Sequence, residues 1–138
     1  MIFSALLLAA AVQSLPMVTV QAPKAELHLQ LAVTEPERER GLMDVTHLPP
    51  HTGMIFVFDA DAPVAFWMKD TLIPLDMVFL DADGTVRQVF AKVPVVARSL
   101  PDGKIPLEQG RAKYVIELPA GEAASDGLRS GVRVSRLP

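Results

Sequence analysis

Leu75-Asp-Met-Val-Phe-Leu-Asp-Ala-Asp-Gly-Thr-Val-Arg-Gln-Val-Phe-Ala-Lys-Val93 reads as two strands joined by a tight turn. Its first six residues are apolar except for Asp76. Asp81-Ala-Asp-Gly84 then supplies turn-forming residues, and residues 85–93 return as the second strand of a hairpin.

Upstream of this hairpin, residues 64–69 form a strand preceded by a turn at Asp59-Ala-Asp-Ala-Pro63. Gly53-Met-Ile-Phe-Val-Phe58 is apolar on both faces, as a central strand would be. Before the Leu48-Pro-Pro-His-Thr loop, Thr34-Glu-Pro-Glu37 carries a capping-box signature for a helix start. Gly41 fits the residue that ends such a helix after two turns at most. Earlier still, Leu27, Leu29 and Leu31 alternate with His28 and Gln30, the period of a half-buried strand.

Downstream, residues 97–111 are polar and rich in Gly and Pro, and read as a long loop. Tyr114-Val-Ile-Glu-Leu118 is a further strand, residues 121–127 contain a short helical piece, and residues 132–136 close the fold as a last strand. The fold class is therefore mainly β, a small closed or partly open β-barrel or sandwich with one or two short helices.

No charge precedes Lys24, and residues 2–12 read IFSALLLAAAV. That length suits a signal-peptide core and is short of the roughly 20 residues of a membrane span. Ala9/Ala11, Val12/Ser14 and Val20/Ala22 offer small-x-small cleavage patterns. No Lys or Arg precedes the apolar run, which leaves open a start further upstream or an uncleaved anchor reaching to about Ala22. The expected organisation is a signal peptide or anchor over 1–22 and one β domain over 23–138. The expected location is periplasmic or extracellular, with membrane attachment only through the leader.

The 13 basic and 16 acidic residues leave a balance of −3 without a basic run, which argues against nucleic acid as a partner. The absence of cysteine excludes a disulfide, a thiolate metal site and a thiol nucleophile.

Several segments are familiar together. Arg40-Gly-Leu-Met43, Gly53-Met54 with Phe56 and Phe58, Phe66-Trp-Met-Lys69 with Thr71, Pro74-Leu-Asp76, and Tyr114-Val-Ile-Glu-Leu-Pro-Ala-Gly121 occur in that order. The chain from Leu27 onward resembles the bacterial and archaeal family called domain of unknown function 192 (DUF192). The resemblance implies a small β-rich, often exported domain and no particular reaction. Asp70 stands where the family pattern usually has Asn, and extra residues occur around 101–110.

The candidate site centres on Phe66-Trp-Met-Lys-Asp-Thr-Leu-Ile-Pro-Leu-Asp76. On a strand, Trp67, Lys69 and Thr71 share one face, with Phe66, Met68 and Asp70 on the other. Trp67 offers an apolar wall, Lys69 an anchor for an anionic group, and Asp70, Thr71 and Asp76 acceptors, with Arg40 and Met43 closing the group. A buried Asp76 needs a partner, either a basic side chain or a backbone N–H, and Lys69, Arg40 and Arg98 are the basic candidates. Glu117, between Ile116 and Leu118, poses the same question and is read with Arg98 as a structural polar residue. His47 and His51 stand four apart, but Pro49-Pro50 removes the helix that would turn this spacing into a metal site. Met43, Met54, Met68 and Met77 read as core rather than as copper ligands. No metal or cofactor is expected.

Three functions fit these residues. The first is a non-catalytic binding module for an unknown small molecule or protein. The second is a small hydrolase or lyase using Asp70 and Asp76. The third is a structural or accessory domain whose ion-pair cluster is purely internal. No Gly-x-Ser-x-Gly elbow supports a serine hydrolase.

Overall fold

A computed structural model describes residues 14–138, so the apolar leader over 2–12 lies outside the described residues. Six strands form one sheet: β1 (Met17–Gln21), β2 (Glu26–Ala32), β3 (Thr52–Phe66), β4 (Leu75–Leu80), β5 (Val86–Val93) and β6 (Glu108–Pro119). Helix α1 (Glu35–Arg40) lies between β2 and β3, and the single-turn α2 (Glu122–Ser125) follows β6. The sheet order is β1-β2-β3-β6-β4-β5. All neighbours are antiparallel except β2 and β3, which the α1 crossover makes parallel.

Period-two alternation gives this sheet two apolar faces. Ile55, Val78, Leu80, Ile116 and Leu118 pack on one face with Leu27, Leu29 and Ala123. Met54, Phe56, Phe66, Met77, Phe79 and Val115 pack on the other with Leu42 and Met68. Every residue of β4 is buried, as expected for a strand covered on both sides. Burying one such Leu or Phe stabilises the fold by about 1.5–3 kcal/mol.

The helix signals act as read. Thr34 Oγ1 accepts from the Glu37 N–H at 3.3 Å, and Glu37 Oε1 accepts from Thr34 N–H at 2.9 Å. The Thr34 and Val33 N–H groups, both donating to Glu37 Oε1, hold the Glu37 carboxyl below its ordinary range. Gly41 ends the helix at φ 49°.

The fold is mainly β with two short helices, as expected, and the sheet is open rather than closed into a barrel, since β1 and β5 remain its two edges. Three expectations need correction. The expected last strand over 132–136 is reduced to two single bridges, Thr85 to Arg133 and Gln21 to Ser135. Residues 59–63 are not a turn between two strands: both halves of β3 pair with β6, with a register shift between Val57 and Ala62. Asp and Pro favour bulges as they favour turns. The polar stretch over 97–111 is partly strand, because β6 starts at Glu108, and Gly110 lets it run close over Phe79.

The sheet also begins before Pro23. Met17–Gln21 pair along β2, and Val20 and Ala22 are buried in the core. Cleavage after Ala22 would therefore remove an edge strand, whereas cleavage after Ala11 or Ser14 would keep it.

Candidate functional site

The site is built on the face of the sheet that carries Phe56 and Phe66. Gly53 makes the local geometry possible: a Cβ at this position would come within 1.9 Å of the Glu117 carbonyl oxygen, so only glycine lets β3 close on β6 there. Glu117 is paired with Met54 on β3 and with Met77 on β4, in the middle of the sheet. Its side chain shares a face with Val115 and opens into a cleft of about 380 Å³. Phe56, Phe58, Phe66 and Trp67 supply the apolar walls, and Leu42 and Met43 close one side. The rings interlock edge to face, with centroids 4.9 Å apart for Phe56 and Phe66 and 6.1 Å for Phe58 and Phe66.

Glu117 is 4% exposed. Among the described residues no hydrogen bond or charge acts on its carboxyl, and burial pushes its pKa up to about 8. At neutral pH it is thus a protonated acid, able to donate one hydrogen bond and accept others.

Polar groups gather on the cleft wall. Lys69 Nζ lies 2.8 Å from Asp102 Oδ2 and 5.3 Å from the Trp67 ring centroid. The hydrogen bond that Lys69 donates to Asp102 raises the Lys69 pKa, but solvent screens this exposed pair, so it orients Lys69 more than it stabilises the fold. Arg38 donates to the Val33 and Val57 carbonyls and sits 5.1 Å from the Phe58 centroid. Arg40 is exposed at the cleft wall, and the buried Thr71 hydroxyl donates to the Lys69 carbonyl at 3.1 Å.

The structure thus brings Trp67, Lys69, Thr71, Arg40 and Met43 to one cleft, though not by strand alternation. Strand β3 ends at Phe66, and Lys69 and Asp70 occupy a turn. Asp70 does not line the cleft. It adopts φ 51° and lies 3.3 Å from Arg98 Nε, while Arg98 also bonds Asp44 at 2.9 Å. The left-handed backbone suits Asp70, since Asp and Asn enter that region more readily than most side chains.

Asp76 lies on the opposite face of the sheet, the face of Val78 and Leu80. It is fully buried and pairs with none of Lys69, Arg40 or Arg98. Its Oδ1 accepts from Lys92 N–H at 2.7 Å and Gly121 N–H at 3.0 Å, and its Oδ2 from Ala123 N–H at 2.8 Å. A carboxylate so occupied joins β4 to the end of β5 and the start of α2. It cannot form an acid/base pair with Asp70.

A family profile for DUF192, described as an uncharacterized ACR, matches residues 17–136. The chain belongs to this family. A crystal structure of a protein from Sinorhizobium meliloti 1021, provisionally described as a transcription regulator, is similar at 32% identity and a TM-score of 0.79. That match covers 89% of this chain and 95% of that one. A protein of unknown function from Novosphingobium aromaticivorans DSM 12444 is similar at 29% identity and a TM-score of 0.77, over 91% of this chain and 89% of that one. No curated protein matches the chain. The polar stretch over 101–110 carries Asp102, the partner of Lys69.

Proposed function

We propose that this DUF192 domain is a non-catalytic, extracytoplasmic module that binds a small molecule in the cleft floored by Glu117. One observation carries the reading: a buried acid without a partner faces an aromatic-walled space. Leaving a buried polar group unpaired costs about 1–3 kcal/mol, and a ligand that bonds it offsets that loss. The favoured ligand has an apolar body and one polar head, an amide, amine or carboxyl that meets Glu117. Arg40 and Lys69 read any second, anionic group. Export rests on the uncharged apolar stretch over 2–12. A hydrolytic role is disfavoured because Asp70 and Asp76 point to different surroundings. A nucleic-acid role, such as the provisional label of the S. meliloti protein would suggest, finds no support in a net charge of −3.

Trp67 is the single tryptophan of the chain, so its fluorescence reports on the cleft alone. Titration with phenylacetate, phenylacetamide, phenethylamine and their medium-chain aliphatic counterparts is expected to give saturable quenching for at least one head group. Glu117→Leu and Trp67→Ala should weaken that ligand by about tenfold or more, as loss of a buried bond or wall does. No saturable response from any head group, or undiminished binding by Glu117→Leu, rejects the cleft as the site. Recovery of the full-length protein in the cytosolic fraction would reject export.

A further inference from the structure

Away from the cleft, the fold brings His51 against Glu122 and Asp126, about 70 residues further along the chain. His51 follows Pro49-Pro50 at the entry to β3, and its N–H donates to Glu122 Oε1 at 2.8 Å. Asp126 follows Glu122 by four residues, one turn on, so both carboxylates project to the same side of α2. His51 Nδ1 lies 3.0 Å from Asp126 Oδ1. The potential ligand atoms of His51, Glu122 and Asp126 all lie within 4.8 Å of one another. Among the described residues this is the one such cluster of three.

A second observation is independent of this clustering. Asp126 is 1% exposed, and its Oδ2 is buried without any hydrogen-bond partner. Glu122 Oε2 is likewise buried and unpartnered. Two buried carboxylate oxygens without donors, on side chains whose ligand atoms come within 4.8 Å, are unfavourable unless a cation or a donor satisfies them. The His51 side chain is meanwhile half exposed, at 48%, so one side of the group faces water.

We infer that His51, Glu122 and Asp126 form a binding site for one divalent transition-metal ion, with Zn²⁺ the best match. One imidazole and two carboxylates suit a borderline ion, whereas Mg²⁺ and Ca²⁺ favour all-oxygen shells. Zn–N and Zn–O bonds of about 2.0–2.2 Å in a tetrahedron set ligands roughly 3.3–3.5 Å apart. The 3.0 Å between Nδ1 and Oδ1 is already near that edge, and the remaining ligands, all within 4.8 Å, need to close by about 1.5 Å at most. Solvent supplies the remaining position on the exposed side of His51. The ion would tie the 49–52 loop to α2 and leave one coordination site open.

The test is calorimetric titration of chelator-treated, full-length protein with Zn²⁺, and with Co²⁺ for its visible spectrum. One equivalent bound in the micromolar range or tighter is expected, with a tetrahedral Co²⁺ absorption and a raised melting temperature. Mg²⁺ should not bind measurably. His51→Asn removes the imidazole while tolerating the left-handed backbone at φ 62°, and should weaken Zn²⁺ by at least about tenfold. Glu122→Gln should weaken it as well, and His28→Ala and His47→Ala should not. Absence of saturable Zn²⁺ binding overturns the site, as does binding that His51→Asn leaves intact while His28→Ala or His47→Ala abolishes it.

Discussion

Replacing Asp76 by alanine is expected to cost the fold about 4 kcal/mol, within the range of roughly 3–5 for stranding buried donors. Three backbone N–H groups, of Lys92, Gly121 and Ala123, aim at this one carboxylate. Each lies where regular structure fails. Lys92 has φ 52° beside an irregularity in the β4–β5 pairing, and Gly121 has φ 90° at the entry to α2. Ladder bonds are lacking at these points, so the carboxylate takes over what the strands cannot supply. Asp76→Asn keeps the volume and one acceptor but turns an NH₂ toward donors, and about half the loss is expected. Urea denaturation at neutral pH measures both. A loss below about 1 kcal/mol for the alanine variant would mean that water replaces the carboxylate, and the structural role would fall.

Much of the local structure is legible because its signals are local. The Thr34 to Glu37 capping box and the Asp81-Ala-Asp-Gly84 turn each specify an element within a few residues, and both elements form. The long strand β3 is harder to read, since Asp59 to Pro63 has the chemistry of a turn. What makes it a bulge is that Met54 and Phe66 pair with the same strand more than 40 residues on, at Glu117 and Glu108. Met17–Gln21 alternates like any edge strand, yet its position beside an apolar leader hides it.

The same limit governs the site. Asp76 and Glu117 look alike in sequence, each a lone acid in an apolar run. Period two puts them on opposite faces of the sheet, but no local rule says which will meet donors. Asp76 finds three because residues 92, 121 and 123 converge on it, and Glu117 finds none because Met54 and Met77 flank it. Of the two roles that sequence leaves open for Asp76 it takes the internal one, and Glu117, read as structural, is the group left facing a cleft. His51 shows the limit again, since its nearest partner in sequence, His47, is not its partner in space.

Glu117 gives the wild-type protein a pH dependence that its glutamine variant lacks. In the unfolded chain this carboxyl titrates near 4.5, and in the folded protein burial raises it to about 8. Between those values the unfolded state has released a proton that the native state retains, so rising pH favours unfolding. The native advantage is complete below about pH 4.5 and is lost progressively up to about pH 8. At about 1.4 kcal/mol per pH unit, and with water entering from the cleft, a loss of about 3 kcal/mol is expected across this window. Glu117→Gln has the shape of the protonated acid and no proton to lose. It should match the wild type within about 1 kcal/mol at pH 5 and exceed it by about 3 kcal/mol at pH 8. Taking the difference between the two proteins cancels every other titrating group, since the remaining carboxylates and histidines are common to both. Parallel urea denaturation at the two pH values decides the matter. A variant that differs from wild type by the same amount at both would show that Glu117 ionises normally, and the floor of the cleft would then be solvated rather than waiting for a ligand.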